Sequence, residues 1–373
     1  MKQSICVLGQ GFVGGSLTTV MNERGLDVYV YDKAGKVALG GSDIARILRV
    51  GEINLDLERI KRNTLSLKHH SVIEEIGMVE NEKQLKFNDF ESTEPNRFDE
   101  KHCRDDDNVE TEIQILVRRS EENSSFSKIY FICLPTPMLE SGEADISIVD
   151  GVLTELAAIP GDRIAVVKST VPPGSTENWN KKFEGTGLRV IFSPEFLTEA
   201  NALDDMRNQN RIILGGPRPY INKVKQIFES AFQNVQIIKT SSTTAEMVKY
   251  VTNIHLAVKV SLANEFYQIC EELDSQGANI DYDKVIEYAT LDERLGKSHW
   301  KVPGPMPDDI TGKPAYGFAG SCFIKDLNAL MYVAKQLGID PKVMNGSWQK
   351  NLEIRPQKDW ERLVGRAISQ KNK

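Results

Sequence analysis

The first fourteen residues contain the feature that most constrains the fold. A short apolar run, Ser4–Leu8, leads directly into the pattern Gly9-Gln-Gly11-Phe-Val-Gly14. In a strand–turn–helix unit the first glycine allows a tight turn, the second lets a ligand approach the backbone, and the third lets the helix pack closely on the strand. The chain is therefore predicted to begin with a strand, a glycine-rich turn and a helix starting near Phe12.

An acidic residue after the next strand indicates what this turn binds. Residues 27–31 read as a second strand, and Asp32 follows them. Backbone N–H groups at a helix N-terminus bind pyrophosphate. A carboxylate at position 32 can accept hydrogen bonds from a ribose 2′-hydroxyl and would repel a 2′-phosphate, which favours NAD over NADP. The alternative is a glycine-rich turn in an unrelated α/β domain. The predicted cofactor contacts in this part of the chain are Gly9, Gly11, Phe12, Val13, Gly14 and Asp32.

Strands and helical stretches alternate over most of the first 240 residues. Further strands are predicted at residues 128–134, 163–169, 188–192, 211–214 and 235–238. This alternation predicts an α/β fold, a Rossmann-like, doubly wound and mostly parallel sheet with its ligand beyond the carboxyl ends of the strands. The alternation of strands and helices is absent at about residues 55–127, which are predicted to be an irregular insertion with a possible strand at 83–87.

Four polar residues each follow one of these strands. They are Thr136, Thr170, Glu195 and Glu199. Each of them taken alone could simply cap a turn or a helix. Four such residues at one edge of the sheet predict a binding site.

A long stretch without glycine or proline begins at Thr243. The pattern Thr243-Thr-Ala-Glu246 fits a capping box and predicts the helix start, with the helix running to about Leu273. Lys249 and Asn253 are four residues apart and share one helix face, where they can bind an oxyanion or a sugar hydroxyl. The alternative is a solvent-exposed polar face.

The candidate nucleophile lies in the segment Tyr316–Asp326. This segment contains two glycines, then Cys322, Lys325 and Asp326. A cysteine on a glycine-containing turn is accessible to a substrate, and charged residues three and four positions later can assist it if a helix begins there. A buried structural cysteine is the alternative. Helices are also predicted at residues 281–289 and 326–337.

Composition limits the classes of function. The chain is 40% hydrophobic and 27% charged with a net charge of -7, which is typical of a soluble globular protein and gives no basic footprint for nucleic acid. The five cysteines are scattered and form no Cys-x-x-Cys pair, and the five histidines have no metal-ligand spacing. Neither a disulfide framework nor a metal site is therefore predicted. Because no signal peptide or membrane-length apolar run is seen, a cytoplasmic location is expected.

The motifs together resemble the nucleotide-sugar 6-dehydrogenases, the UDP-glucose and GDP-mannose dehydrogenases and their N-acetylamino-sugar relatives. In chain order they are GQGFVG, PTP, KSTVPPG, SPEFLTEA, EMVKYVTN, NE and GFAGSCFIKD. The resemblance covers residues 1–50 and 128–340. It implies a four-electron oxidation in which a sugar C6 alcohol becomes a carboxylate with two NAD⁺ and without release of the aldehyde.

The resemblance also implies a role for each matching residue. Cys322 would be the nucleophile that forms a thiohemiacetal and then a thioester. Lys249 and Asn253 would bind the C6 oxygen, and Asp326 with Thr170 would hold the catalytic water. The other implied substrate contacts are Glu195, Leu197, Ala319 and Arg294, the last reaching a neighbouring subunit's substrate. The other implied cofactor or water contacts are Thr136, Glu199 and Lys325.

Three departures from the family pattern shape the expected domain layout. No C-terminal nucleotide-binding domain is seen, the segment 55–127 is longer than the family's connection, and Ala319 stands where the family has glycine. We therefore expect a short form with an NAD-binding domain at 1–240, a connecting helix at 241–275, a helical dimerisation and catalytic-cysteine domain at 276–345, and a tail at 346–373. A homodimer through the helix 243–273 is expected.

The reaction expected from the resemblance is oxidation of UDP-glucose to UDP-glucuronate, for polysaccharide biosynthesis. Two alternatives stay open. A single-step NAD-linked hydroxy-acid dehydrogenase would use the Lys249–Asn253 pair and would not need Cys322. A non-catalytic protein that binds NAD or a nucleotide sugar could instead pair with a complete dehydrogenase.

Overall fold

The chain forms two compact units. The computed structural model describes residues 3–33, 46–47, 112–121, 126–305, 312 and 315–372. The first unit, called the sheet unit, comprises Met1–Leu134, Asp150–Lys168 and Thr176–Ser242. The second, called the helical unit, comprises Pro135–Val149, Ser169–Ser175 and Thr243–Lys373. The loops at 135–149 and 169–175 therefore belong with the helices, although the expected NAD-binding domain included them.

The sheet unit is built on one mostly parallel sheet. Its strands in the described residues are β1 (Ser4–Leu8), β2 (Asp27–Tyr31), β3 (Arg46–Ile47), β4 (Phe126–Ile132), β5 (Arg163–Val167), β6 (Leu188–Phe192), β7 (Arg211–Gly215) and β8 (Gln236–Thr240). Their order is β3-β2-β1-β4-β5-β6-β7-β8. Only the β6–β7 pair is antiparallel among these strands, with Phe192 opposite Gly215. The predicted doubly wound, Rossmann-like sheet is confirmed.

Helices alternate with these strands along the chain. They are α1 (Phe12–Glu23), α2 (Glu112–Glu121), α3 (Ser147–Ala158), α4 (Ser175–Lys182), α5 (Ala202–Arg207) and α6 (Arg218–Ala231). All residues of β1 and β5 are buried, as expected for parallel strands that are covered on both faces. Leu17 of α1 and Phe228 of α6 belong to the same buried cluster as Ile5 and Phe131 of the sheet.

Part of the predicted irregular insertion is helical. Residues 112–121 form α2, and β4 begins at Phe126. Ile113, Leu116 and Val117 are buried on one face of α2, and this spacing stabilises an amphipathic helix. The possible strand at 83–87 lies outside the described residues.

The helical unit contains four further helices in its described part. They are α7 (Ser242–Ser275), α8 (Tyr282–Ala289), α9 (Cys322–Gln336) and α10 (Lys342–Ile354). Tyr250 of α7 and Leu327 of α9 are buried in one apolar cluster together with Trp360. The predicted long helix is confirmed, with its start one residue earlier than expected. None of the helices in the described residues is long and apolar enough to span a membrane.

Two parts of the helical unit differ from the prediction. Helix α9 begins at Cys322 and not at Asp326, because Gly320 turns the chain with a φ of 72° and Ser321 takes the N-cap position. The expected tail also packs into the unit. Trp360 is buried, and the backbone N–H of Met138 donates to the carbonyl oxygen of Ala367 at 2.8 Å.

Candidate active site

The glycine-rich turn of the sheet unit is shaped by the absence of side chains. Gly9 has a φ of 90°, and a Cβ there would collide with the carbonyl of Cys133. A Cβ on Gly14 would overlap the carbonyl oxygen of Gly9, so the first turn of α1 lies directly against the turn before it. A Cβ on Gly11 would meet no described atom within 4 Å. The turn therefore leaves space for a phosphate beside Gly11, at the N-terminus of α1.

Asp32 lies beside this turn. Its Oδ2 accepts a hydrogen bond of 2.7 Å from the backbone N–H of Gln10. Phe12 and Val13, both half-buried, form the first turn of α1. A carboxylate held next to a glycine-rich helix N-terminus fits the ribose and pyrophosphate of NAD. Gly9, Gly11, Phe12, Val13, Gly14 and Asp32 are the residues that would hold them.

A buried lysine joins the ends of β5 and β6. Lys168 is 5% exposed, and its Nζ donates to the carbonyl oxygen of Ser193 at 3.1 Å. The next segment carries Glu195, which is also buried and whose Oε2 accepts a 2.7 Å hydrogen bond from the backbone N–H of Leu197. Glu199 is exposed at the start of a 3₁₀ turn, Glu199–Asn201. Lys168 was not among the predicted site residues, although its place directly after an apolar strand puts it at the ligand edge of the parallel sheet.

The helical unit brings three predicted site residues into direct contact. Asp326 is 1% exposed, and its two carboxylate oxygens accept hydrogen bonds from Nδ2 of Asn253 at 2.6 Å and from Nζ of Lys325 at 2.5 Å. Lys249 lies one turn before Asn253 on α7 and is 3% exposed. Cys322 lies one turn before Asp326 on α9. The name α7–α9 cluster is used for Lys249, Asn253, Cys322, Lys325 and Asp326.

Cys322 occupies a position suited to a nucleophile. It is the first residue of α9, and a helix N-terminus favours negative charge such as that of a thiolate. It is half-buried, whereas Cys6 and Cys270 are fully buried. Burial also raises the pKa of Cys270 and that of Cys6, so those two thiols are poor nucleophiles.

A buried glutamate on α7 holds the loop that carries Thr170. Glu246 is 0% exposed, and its Oε2 accepts a 2.6 Å hydrogen bond from the backbone N–H of Gly174. Thr136 Oγ1 donates to the carbonyl oxygen of Thr170 at 2.7 Å, so the two threonine loops are in contact. Glu246 was interpreted only as part of a capping box. Its spacing of three residues from Lys249 already places it on the same helix face.

Glu246 and Asp326 both lie close to Tyr250. Burial raises the pKa of Tyr250 well above its ordinary value, and the negative charges of these two carboxylates raise it further. Tyr250 therefore stays protonated near neutral pH.

Two further predicted substrate contacts lie in the helical unit but outside the α7–α9 cluster. Arg294 is exposed, and its Nε donates to the carboxylate of Asp292 at 2.9 Å in the turn Glu293–Leu295. Ala319 is half-buried in the loop before α9. Among the residues that the structure describes, no group of His, Cys, Asp and Glu could hold a metal ion.

Comparison with known protein families places the chain in one of them. Residues 101–235 match the NAD binding domain of the UDP-glucose/GDP-mannose dehydrogenase family, and residues 243–353 match the central domain of that family. The two matches cover well over half of the chain. The protein belongs to the UDP-glucose/GDP-mannose dehydrogenase family, and its cofactor is NAD.

Individual relatives agree with this assignment. The chain is 33% identical over 233 residues to UDP-glucose 6-dehydrogenase TuaD of Bacillus subtilis, covering 60% of this chain and 46% of that protein. It is 34% identical over 242 residues to a UDP-glucose 6-dehydrogenase of Rickettsia prowazekii, covering 64% of this chain and 51% of the relative. The chain thus spans about half the length of these curated relatives.

A solved structure shares the fold. A UDP-glucose dehydrogenase from the archaeon Pyrobaculum islandicum superimposes with a TM-score of 0.62 at 24% identity. The alignment covers 95% of this chain and 68% of the archaeal one.

Proposed function

We propose that the protein oxidises the C6 alcohol of a nucleotide sugar to a carboxylate in two NAD-dependent steps, with UDP-glucose as substrate and UDP-glucuronate as product. The observation that carries the proposal is the α7–α9 cluster. It combines an accessible cysteine at a helix N-terminus with a buried carboxylate, one turn away, that binds Asn253 and Lys325. The names of the relatives support the choice of substrate.

Each residue of the cluster has a chemical task in this reaction. NAD supplies the hydride acceptor for both oxidations. The Lys249 ammonium and the Asn253 amide can donate hydrogen bonds to the C6 oxygen while it carries negative charge. The sulfur of Cys322 adds to the aldehyde carbon, so the aldehyde is held as a thiohemiacetal and not released.

Hydrolysis completes the cycle. After the second oxidation the sugar is bound to Cys322 as a thioester. Water positioned by Asp326 and Thr170 attacks the carbonyl carbon, the C–S bond breaks, and the carboxylate leaves while the thiol is restored. The roles of Glu195, Leu197 and Ala319 toward the sugar, and of Thr136, Glu199 and Lys325 toward the cofactor or water, are part of the same proposal.

The stoichiometry of NADH tests this function. With limiting UDP-glucose and excess NAD⁺, two NADH per sugar are expected. Cys322→Ser is expected to lower carboxylate formation at least about a thousandfold, because the covalent intermediate cannot form. The matched control is Cys270→Ala, since Cys270 is a buried cysteine on α7 and is not part of the α7–α9 cluster.

Other outcomes would contradict the proposal. One NADH per sugar together with a fully active Cys322→Ser variant would favour a single-step dehydrogenase. If UDP-glucose gives no NADH, a panel of other nucleotide sugars tests the choice of substrate. Binding of NAD or of these sugars without turnover of any of them would favour a non-catalytic partner protein.

We also propose that α7 pairs with the same helix of a second copy. Six large apolar side chains on α7 are 38–56% exposed: Met247, Val251, Leu262, Phe266, Ile269 and Leu273. From Leu262 onward these side chains recur at intervals of four, three and four residues, which is typical of a seam between two packed helices.

Sedimentation velocity tests the pairing. A dimer is expected for the protein and a monomer for Ile269→Glu, because a charge in the seam would be buried without a partner. A monomeric protein, or a dimer that Ile269→Glu leaves intact, would contradict this pairing.

A further inference from the structure

The loop before Cys322 is held by buried polar side chains that come from distant parts of the helical unit. This loop, residues 315–321, is called the nucleophile loop. Three successive residues, Tyr316, Gly317 and Phe318, each give a backbone group to one of these side chains. The loop leads directly into α9, so its backbone sets where Cys322 enters the helix.

Asn351 of α10 makes the most complete of these contacts. Its Oδ1 accepts a hydrogen bond of 2.8 Å from the backbone N–H of Phe318, and its Nδ2 donates to the carbonyl oxygen of the same residue at 3.1 Å. Asn351 is 0% exposed. The backbone N–H and the carbonyl oxygen of Phe318 are thus both hydrogen-bonded to one amide side chain.

Arg355 makes the second contact. Its Nη1 donates to the carbonyl oxygen of Tyr316 at 3.0 Å. Its Nε and Nη2 bind the two carboxylate oxygens of Asp359 at 2.8 and 2.5 Å, and both side chains are buried. A guanidinium held in this bidentate way has a fixed orientation, so the carbonyl of Tyr316 is fixed as well.

Gly317 lets these side chains approach the loop. It has a φ of 72°, and a Cβ there would collide with Oδ1 of Asn351 and would also crowd Ile354. Its backbone N–H donates to Oδ1 of Asn264 on α7 at 3.3 Å. The loop therefore lies in direct polar contact with both α7 and α10.

We propose that Asn351 and Arg355 are positioning residues for Cys322. They hold the backbone of the nucleophile loop so that the sulfur meets the aldehyde carbon in the geometry needed for addition. This inference rests on the proposed role of Cys322 as the nucleophile. It also makes Asn351 and Arg355 part of the site, although residues 346–373 were expected to form a tail.

Comparison of Asn351→Ala with Asn345→Ala tests the proposal. Asn345 is the matched control, because it is an asparagine on the same helix but exposed. Asn351→Ala is expected to lower kcat about 10- to 100-fold with a smaller change in KM, since a small displacement of a reacting group has effects of this size. The NADH-to-sugar ratio is expected to fall below two, because aldehyde escapes before the sulfur adds to it.

A second readout does not depend on turnover. Iodoacetamide is expected to alkylate Cys322 faster in Asn351→Ala than in the unmodified protein, because the loop is less restrained. Hydrogen exchange in residues 316–318 is expected to be faster for the same reason. Asn345→Ala is expected to change neither rate.

The outcomes separate positioning from a merely structural role. A lower melting temperature with unchanged kcat, NADH ratio and alkylation rate would overturn the proposal. If Asn351→Ala does not fold, Arg355→Lys is tested in its place. Lysine keeps the positive charge beside Asp359 but cannot make the two parallel hydrogen bonds of the guanidinium. If the unmodified protein oxidises no nucleotide sugar, the proposed function fails. Faster alkylation of Cys322 in Asn351→Ala would then still support the loop restraint, and an unchanged rate would overturn it.

Discussion

The two units of the protein build their candidate sites in opposite ways. In the sheet unit the turn before α1 is made by backbone, and three glycines keep side chains away from it. In the helical unit the site is made by buried side chains in direct contact, with Asp326 bound to Asn253 and Lys325. A pyrophosphate needs space and N–H groups, whereas proton transfer and covalent chemistry need charged atoms at fixed positions.

This difference determines how each site can be damaged. Removing a side-chain atom from the α7–α9 cluster leaves a buried charge without its partner, which is costly in a dry environment. Adding one carbon atom to the glycine turn fills space that the fold or the cofactor needs. Side-chain deletions should therefore act mainly on the helical unit, and added methyl groups mainly on the sheet unit.

Among the substitutions that compare the two units, Asp326→Asn has the largest expected effect. The new amide can accept only one of the hydrogen bonds from Asn253 and Lys325, so one donor faces another donor. We expect kcat to fall at least about a hundredfold, because the buried carboxylate proposed to position water is lost. Stability is expected to fall by about 3 kcal/mol in urea unfolding.

Asp340→Asn is the control for this prediction, since Asp340 is exposed beyond the end of α9. It should leave both kcat and stability unchanged. The dissociation constant of NAD is expected to change less in Asp326→Asn than in Gly11→Ala. A larger change in Asp326→Asn would contradict the separate roles proposed for the two units.

Two alanine substitutions in the glycine turn should have smaller and separable effects. In Gly14→Ala the new Cβ would overlap the carbonyl of Gly9, so the turn must shift. We expect a loss of stability of about 1–3 kcal/mol and weaker NAD binding. In Gly11→Ala no described atom lies within 4 Å of the new Cβ, so stability should stay within about 0.5 kcal/mol.

NAD binding and thermal unfolding check this pair. The KM for NAD is expected to rise about tenfold in Gly11→Ala, because the methyl group occupies the space of the pyrophosphate. Equal stability of the two variants would show that the contact between Gly14 and Gly9 is not needed. An unchanged KM in Gly11→Ala would place the cofactor elsewhere.

Local patterns accounted for most of the sheet unit. The bounds predicted for β1, β2 and β6 are those that the structure has, because short apolar runs between turn residues identify buried strands. The glycine spacing predicted a tight turn at Gly9 and close packing of the helix at Gly14, and the structure shows both. The helix at residues 112–121 was missed because charged residues surround its apolar face.

The supporting residues of the helical unit could not be identified in the same way. Glu246 binds the backbone N–H of Gly174, 72 residues earlier in the chain. Asn351 binds Phe318 across 33 residues, and Arg355 binds Tyr316 across 39. No spacing rule relates such residues, since each contact depends on how α7, α9 and α10 pack.

The sequence alone therefore determined the parallel sheet, the glycine-rich turn before α1 and the candidate nucleophile, because these follow from patterns that act within a few neighbouring residues. The tertiary structure decided that the carboxylate of Asp326 on α9 binds Asn253 of α7. It also decided that residues after 346 hold the nucleophile loop. These features depend on buried hydrogen bonds between distant segments, which form only when the apolar faces of the helices have packed together.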